Sequence, residues 1–379
     1  MSAGVMSSDF APRASVTPAI IERIVTRVVA LPLDEPIKHP FMGARTKKST
    51  LLVQVYSTDG DFGLGYVSIE SVGLVRAVES IIREMEMPLK GQDGLCRAFL
   101  FERMWNMTVD LLHDGASNLA IAAIDIALWD LCGKRAGLPL WKMLGGFRDQ
   151  VPAYASWTLW RHHDKARLEK DAAAIVESGY KAMKLRMGNR PIAEDLSRAK
   201  LVRDTVGPDI HIMVDALWGC TGIEGVQMAR GLGELGYTWL EEPVREGDFE
   251  GLAKVRAAQA LPIAAGERIS RVAHLETLVP CVDHVILDTL HLGGFTPWLK
   301  AAAALDTHNL PISAHGNPYL HTHLLASVRT GAWIEFMPWL DELFVDPPAP
   351  RKGMMALGNK PGLGLELNEA TIRKFEVKD

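Results

Sequence analysis

Between Val151 and Met337 the chain repeatedly sets a charged residue at the end of a short, β-rich apolar run. The runs read PAYAS, AMKLRM, IHIMVDA, TWLEEP, PIAAGE, HVILDT, LPISAH and WIEFM. The second ends on Lys184 and Arg186, the third carries Asp215, the fourth Glu241 and Glu242, and the fifth Glu267. The sixth carries Asp288, the seventh His315 and the eighth Glu335. Singly, each has an ordinary structural role: a strand-end acid caps a helix or faces solvent, a histidine after an apolar run is a satisfied imidazole, and Glu242 can serve as partner to a nearby base. Jointly they say more. Three successive runs present Asp215, Glu241 and Glu267 to a common rim, where carboxylates repel one another unless a cation intervenes. An all-oxygen donor set without His or Cys suits a hard ion, and Mg²⁺, one per subunit, is the expected cofactor.

A lysine on one side of such an ion and a histidine on the other could remove the proton next to a carboxylate. That carbon acid is very weak, and its enediolate carries two negative oxygens. The metal and Lys184 can neutralise this charge as it develops. His315 can take or give a proton near neutral pH, and Asp288 can accept a hydrogen bond from its far nitrogen and raise its basicity. Glu335, if protonated among other carboxylates, can donate to the second oxygen.

The elements that would hold these groups follow from the texture of the chain. From Val151 onward the runs alternate with amphipathic helical stretches at 165–178, 194–206, 222–235, 249–259, 271–279, 296–307 and 319–328. Eight such units predict a parallel (β/α)₈ barrel, whose strand C-termini line one mouth. A doubly wound sheet is the competing fold; eight clean units and no glycine-rich dinucleotide turn favour the barrel. Upstream, Ile20–Leu31 and Thr50–Tyr56 read as strands, and TDGDFGLGY offers Gly60, Gly63 and Gly65 as turn residues before another short strand. Helices are expected at 73–83, 96–112 and 116–136, the last ending at Gly137. The predicted organisation is a disordered lead-in (1–17), an α+β capping domain (18–146), the barrel (147–352) and a tail (353–379) that returns to the cap.

Composition narrows the function class. With 379 residues, 48% apolar, a large buried core is available. The net charge of −5 is spread along the chain rather than in a basic stripe, against a nucleic-acid or membrane-surface partner. No run of about 18 uninterrupted apolar residues suggests a membrane span. Cys96, Cys132, Cys220 and Cys281 lack paired spacing and read as reduced thiols of a cytoplasmic protein. The expected partners are a small carboxylate substrate and further copies of the chain in a homo-oligomer.

These motifs resemble the enolase superfamily, and within it the mandelate racemase subgroup, from about Ile20 to about Phe375. AIAAIDIALWDLCGKRAGLPLWKMLGG (Ala120–Gly146) is similar to the helix that closes the family's first domain. AMKLRMG matches its lysine motif, with Lys184 at the first lysine; IMVDA, WLEEP and AAGE match the three metal-ligand strands, implying ligand roles for Asp215, Glu241 and Glu267. ILDTLHLGG with ISAHG matches its Asp–His dyad, Asp288 and His315, and WIEF puts Glu335 at its electrophilic glutamate. Two positions depart. The family's second lysine, a base on the face opposite the histidine, is Arg186 here, and guanidinium stays protonated. Two residues beyond Asp215 stands Leu217, where several relatives carry a polar residue that touches substrate.

The subgroup's two main reactions differ in what they need. Racemases and epimerases use acid/base groups on both faces, whereas sugar-acid dehydratases manage with one base that later returns its proton to the departing hydroxyl. With Arg186 opposite His315, the resemblance implies dehydration of an aldonate or aldarate to a 2-keto-3-deoxy acid. A racemase, epimerase or cycloisomerase, and a non-catalytic sugar-acid-binding barrel, are the alternatives. Lys38, His39, Arg45, Lys47 and Lys48 in EPIKHPFMGARTKK offer polar contacts if that loop folds over the mouth, or simply face solvent.

Overall fold

The computed structural model describes residues 17–39, 43–69 and 71–378. The lead-in expected at 1–17 lies outside the described residues apart from Thr17, as does the His39 side chain. Three long antiparallel strands open the chain: β1 (Ile21–His39), β2 (Gly43–Ser57) and β3 (Phe62–Ile69), in the order β1-β2-β3. Of the helices α1 (Val72–Leu89), α2 (Arg97–Met107) and α3 (Ala116–Ala136), α1 and α3 pack on this sheet and α2 packs against α3.

Gly63 and Gly65 are not turn residues. They lie inside β3, where a Cβ on either would come within 1.8 Å of Ala127 O or 2.0 Å of Ala123 O. Their role is to let the strand backbone touch α3, which only glycine permits at this distance. That contact explains the apolar character of α3: the helix is long and apolar enough to cross a membrane, yet 89% of its apolar window is buried inside the protein.

The second unit is a parallel, nearly closed barrel of eight strands. Its members are β4 (Gln150–Ala155), β5 (Ala182–Arg186), β6 (His211–Asp215), β7 (Trp239–Glu241), β8 (Ile263–Ala265), β9 (His284–Leu287), β10 (Ile312–Ala314) and β11 (Ile334–Phe336). Hydrogen-bonded neighbours run β10-β9-β8-β7-β6-β5-β4-β11, and Ala314 N donates to Trp333 O across the remaining gap. A short β12 (Met354–Ala356) adds antiparallel to β4. The interior is filled by side chains, among them Tyr154, Ala182, Met213, Trp239, Ala264 and Ile286. Such packing makes the barrel a solid platform, leaving only its mouth for chemistry.

Local sequence starts the crossover helices. Asp164 accepts from Arg167 N, Asp248 accepts from Gly251 N, and Thr221 with Glu224 forms a reciprocal cap. The stretch expected as one helix at 271–279 is instead three single turns, Val272–His274, Leu275–Leu278 and Val279–Cys281. Pro280, lacking an N–H, cannot extend a helix there.

Helix α3 joins the two units. The buried Asp125 accepts from Thr296 Oγ1 at 2.6 Å and Thr296 N at 2.9 Å, and Trp129 Nε1 donates to the same hydroxyl at 3.0 Å. Asn118 Nδ2 donates to Ser270 O and His291 O, both at 2.8 Å. After β12, Gly362 O accepts from Leu140 N, and the helix Glu369–Phe375 ends where Val377 N donates to Val28 O on β1. The cap is thereby held over the barrel mouth from both ends of the chain.

Candidate active site

The barrel strands deliver the predicted residues other than Glu241 to the lining of one cavity of about 380 Å³ between mouth and cap, and Glu241 is fully buried beside Lys184. Lys184 and Arg186 stand on β5, two residues apart and so on one face. Asp215 closes β6 and Glu241 closes β7, with Arg186, Asp215 and Glu241 side by side in register. Glu267 follows β8, Asp288 follows β9, His315 follows β10, and Glu335 is central in β11. Gly266 stands at φ +124°, and a Cβ there would meet Ile286 O at 2.9 Å, so the glycine of AAGE is what lets Glu267 turn into the mouth.

Glu241 and Glu242 separate as strand alternation requires. Glu241 is fully buried, with Lys184 Nζ at 3.1 Å and Trp239 Nε1 at 3.2 Å. Glu242 turns away, accepting from Gly266 N at 2.8 Å and Trp218 Nε1 at 3.2 Å, in a left-handed backbone conformation (φ 44°).

Glu335 is the most heavily bonded acid. It receives Lys184 Nζ at 2.6 Å, Ser156 Oγ at 2.6 Å, Gly316 N at 2.8 Å and Arg186 Nη2 at 3.4 Å. Burial alone would raise its pKa, but Lys184, His315 and Arg186 hold it well below the usual carboxylate range. Glu335 is expected from the sequence to donate as a neutral acid among carboxylates; here Glu241 is nearby, but the groups in direct contact with Glu335 are the donors Lys184, Ser156, Gly316 and Arg186, which favour its ionised form.

Lys184 is 1% exposed. Burial works against its charge, and Glu241 and Glu335 overcome it, leaving an ammonium held well above its ordinary pKa. Arg186 donates to Ser156 O and Ser156 Oγ, both at 2.9 Å, and its guanidinium sits 4.0 Å over the Trp160 ring.

Across the cavity, His315 Nδ1 donates to Asp288 Oδ2 at 2.7 Å, while its Nε2 lies 3.5 Å from Glu267 Oε2. Asp288 Oδ1 accepts from Leu290 N at 2.7 Å. Burial favours a neutral Asp288, yet His291 and His315 keep it below the carboxylate range. Burial lowers the His315 pKa, but Glu267 and Asp288 more than compensate, to about 10. His321 braces the dyad: its Nε2 accepts from Thr289 N at 3.0 Å, so its Nδ1 donates to Gly316 O at 2.8 Å.

The charge balance bears on metal binding. Asp215, Glu241, Glu267, Asp288 and Glu335 oppose Lys184, Arg186, the His315 imidazolium and Arg268, which lies 3.6 Å from Glu267, five acids to four cations. Burial, with Asp215, Glu335 and Glu267 nearby, pushes Glu241 up to about 7 against the pull of Lys184. A buried set of carboxylates that outnumbers its cations is what a hard cation fits. Among the described residues, donor atoms within 4.8 Å of one another occur at Asp288/His291/His315 and at Glu35/His162/His163. The three acids are spread more widely, Glu241 toward Lys184 and Glu267 toward His315.

Several contributors were missed in the sequence. Ser156 ends the first run, PAYAS, and the strand-end criterion applied to that run would have found it. His291, whose Nδ1 donates to Glu267 O at 2.6 Å, lies three residues after Asp288 in the same motif. Trp160, Arg161, Arg268 and Trp339 line the cavity from loops whose sequence carries no periodic signal. Lys38, Arg45, Lys48 and Leu217 also line it, whereas Lys47 is exposed.

Residues 21–145 match the family described as mandelate racemase / muconate lactonizing enzyme, N-terminal domain, and residues 167–371 match the enolase C-terminal domain-like family. The chain belongs to the mandelate racemase/muconate lactonizing enzyme family. Within the family it is 30% identical to the L-talarate/galactarate dehydratase of Salmonella typhimurium, over 93% of this chain and 90% of that one. It is 29% identical to the 3,6-anhydro-alpha-L-galactonate cycloisomerase of Streptomyces coelicolor, over 94% and 100% of the two chains. The crystal structure of the Salmonella dehydratase with Mg and L-lyxarohydroxamate superposes with a TM-score of 0.91, covering 100% of this chain and 98% of that one at 29% identity.

Proposed function

We propose that this protein is a Mg²⁺-dependent enzyme that removes the proton α to the carboxylate of a sugar acid and expels the β-hydroxyl, giving a 2-keto-3-deoxy acid. The observation that carries this reading is the asymmetry of the cavity. One wall holds an imidazole oriented by a carboxylate, His315 on Asp288; the opposite wall holds Arg186, committed to Ser156, Glu335 and Trp160. A guanidinium so placed is a permanent cation, not a base. Lys184, held as an ammonium by Glu241 and Glu335, cannot replace it.

In this reading Asp215, Glu241 and Glu267 hold the ion. Bound there, Mg²⁺ supplies Lewis-acid stabilisation of the enediolate and offsets the field of Glu267 that otherwise keeps His315 protonated. His315 Nε2 takes the C2 proton, and the C–H pair becomes the C1–C2 double bond of the enediolate. Lys184 and Arg186 meet the developing negative charge on the carboxylate oxygens. The His315 imidazolium then returns its proton to the C3 hydroxyl, the C3–O bond breaks, water leaves and the enol product becomes the ketone. One residue thus serves as base and acid on a single face.

The test is a screen of aldonates and aldarates with Mg²⁺, followed by NMR in deuterium oxide. The proposal expects keto acid from one C2 epimer, with no deuterium entering the other. Deuterium at C2 of both epimers, with interconversion and no keto acid, would replace it with a racemase or epimerase.

A further inference from the structure

The acids of the cavity gather with the reacting groups, whereas cations line it throughout. Among its described lining residues the acids are Asp215, Glu267, Asp288 and Glu335, all at the inner end with the reacting groups. The cap contributes Lys38, Arg45 and Lys48 from β1 and β2, and the barrel loops contribute Arg161 and Arg268. Arg268 already lies 3.6 Å from Glu267. Arg45 and Arg161 are different. Among the described residues, Arg45 Nε and Arg161 Nη1 are buried and make no hydrogen bond; Arg161 Nη2 donates to Ala216 O at 3.4 Å, and Asp215 and Asp195 act on its charge from nearby.

A continuous structure links the reacting groups to the cap. The Arg186 guanidinium stacks 4.0 Å from the Trp160 ring, Trp160 stacks on Trp339 at 6.2 Å and 12°, and Lys48 Nζ lies 5.0 Å over Trp339. Two tryptophans therefore form one wall from the reacting end to the cap, with a cation at either end. A buried guanidinium N–H left without an acceptor costs the desolvation of a charged donor, so the arrangement is built for a ligand that brings the acceptor. A carboxylate accepts two parallel N–H bonds and carries the compensating charge; a terminal hydroxymethyl group does neither.

Resting on the sugar-acid reading above, we propose that Arg45 and Arg161, with Lys38 and Lys48, form a distal anion subsite, and that the substrate is a dicarboxylate: one carboxylate at the inner end, the other under the cap. An aldarate satisfies both ends. An aldonate of the same stereochemistry leaves the buried donors unpaired and is discriminated against.

The test is binding, so that it stands apart from the reaction class. Calorimetry uses the Mg²⁺-loaded His315→Asn protein with matched pairs, galactarate against galactonate and glucarate against gluconate. The expectation is a tighter fit for the hexarate of at least one pair by on the order of 10–100-fold, the scale of one or two charged hydrogen bonds. Arg45→Met and Arg161→Met, each in that background, should shrink the gap, and together remove most of it; Arg45→Lys should restore part of it, and rising salt should narrow it. If no hexarate binds better than its hexonate, or if the gap survives the double substitution in protein of normal melting temperature, the subsite does not exist. Tighter binding of 6-phosphogluconate than of either hexarate would overturn the carboxylate assignment in favour of a phosphate. A hexarate preference in a protein that racemises rather than dehydrates would leave the subsite standing and sink only the reaction assignment.

Discussion

Replacing Asp288 by Asn tests the dyad with the smallest change of shape. Both carboxylate oxygens are engaged: Oδ2 with His315 Nδ1 at 2.7 Å and Oδ1 with Leu290 N at 2.7 Å. An amide has one acceptor oxygen, so one bond must fail. If the oxygen stays on Leu290 N, the amide NH₂ faces His315 Nδ1 and forces its proton onto Nε2, the atom that must accept the substrate proton. If the oxygen turns to His315, the NH₂ meets the Leu290 N–H in a buried site, at a cost of about 1–3 kcal/mol. At about 1.4 kcal/mol per factor of ten, the competent arrangement then falls by roughly 5- to 150-fold. Loss of the Asp288 charge also lowers the basicity of His315, the direction opposite to the upward shift it helps produce. The two effects together predict a kcat about 10²–10³-fold lower, within the range of general-base effects, with KM changed by a small factor.

The assay follows keto-acid formation, C2–H exchange with solvent deuterium and Mg²⁺ titration in parallel. Turnover should collapse with Mg²⁺ affinity retained, because Asp288 is not among the three proposed ligands. A kcat within about threefold of wild type would refute the dyad, since that is below the general-base range. Loss of Mg²⁺ instead would move the ion to Asp288, His291 and His315, whose donor atoms lie within 4.8 Å of one another.

EDTA should abolish activity, and Glu241→Gln should remove Mg²⁺ binding and turnover; Glu242→Gln, which alters a side chain tied to Gly266 and Trp218, should retain the ion in calorimetric titration. Arg186→Lys should keep part of the rate and Arg186→Met should lower it further, read as kcat on the substrate found by screening. A Met variant as fast as wild type would show that the cation is dispensable. Asp125, at the seam between cap and barrel, is pushed by burial from 3.8 to about 6. The folded state thus holds a proton between those values that the unfolded chain has released, so this contribution is present below pH 3.8 and lost as pH rises through about 6. Asp125→Asn should flatten that part of the stability curve, measured by urea unfolding from pH 4 to 7.

The barrel and its charged strand ends were legible because both rest on period. A parallel strand buried on both faces is a short apolar run, and its C-terminal residue enters the mouth whatever else the chain does. Asp215, Glu241, Glu267, Asp288, His315 and Glu335 all lie in this one cavity or at its floor. Misreadings arose where packing overrode a local signal. Gly63 and Gly65 looked like turn residues but answer a demand made by α3, some sixty residues later. The helix expected to Leu112 ends at Met107 because Thr108 Oγ1 bonds back to Trp105 O at 2.9 Å, after which a single turn and a left-handed Leu112 redirect the chain. Arg161, Trp160 and Trp339 were invisible because no pattern marks a loop residue as cavity-facing until its neighbours are placed.

The charge state of Glu335 changes how the acid side of the site must operate. A neutral glutamic acid would donate a proton to the enediolate directly. Here Ser156, Gly316, Lys184 and Arg186 all donate to it, so every nearby hydrogen points at the carboxylate and none is left for it to give. An anion so fully bonded positions its cations instead. Glu335 and Glu241 hold the Lys184 ammonium at 2.6 and 3.1 Å, and Ser156 ties Glu335 to Arg186. In the proposed reaction the two cations therefore meet the substrate carboxylate already oriented, with no reorganisation when charge develops, which is where electrostatic catalysis gains most. The substitution that separates the roles is Glu335→Gln. A proton donor would be replaced by a weaker donor that leaves Lys184 in place. A positioning carboxylate would be replaced by an amide whose NH₂ group opposes the Lys184 and Ser156 donors. The second case predicts a loss of Lys184 order, visible as a lowered lysine pKa by NMR, together with a reduced kcat; an unchanged lysine with reduced kcat would return Glu335 to the role of acid.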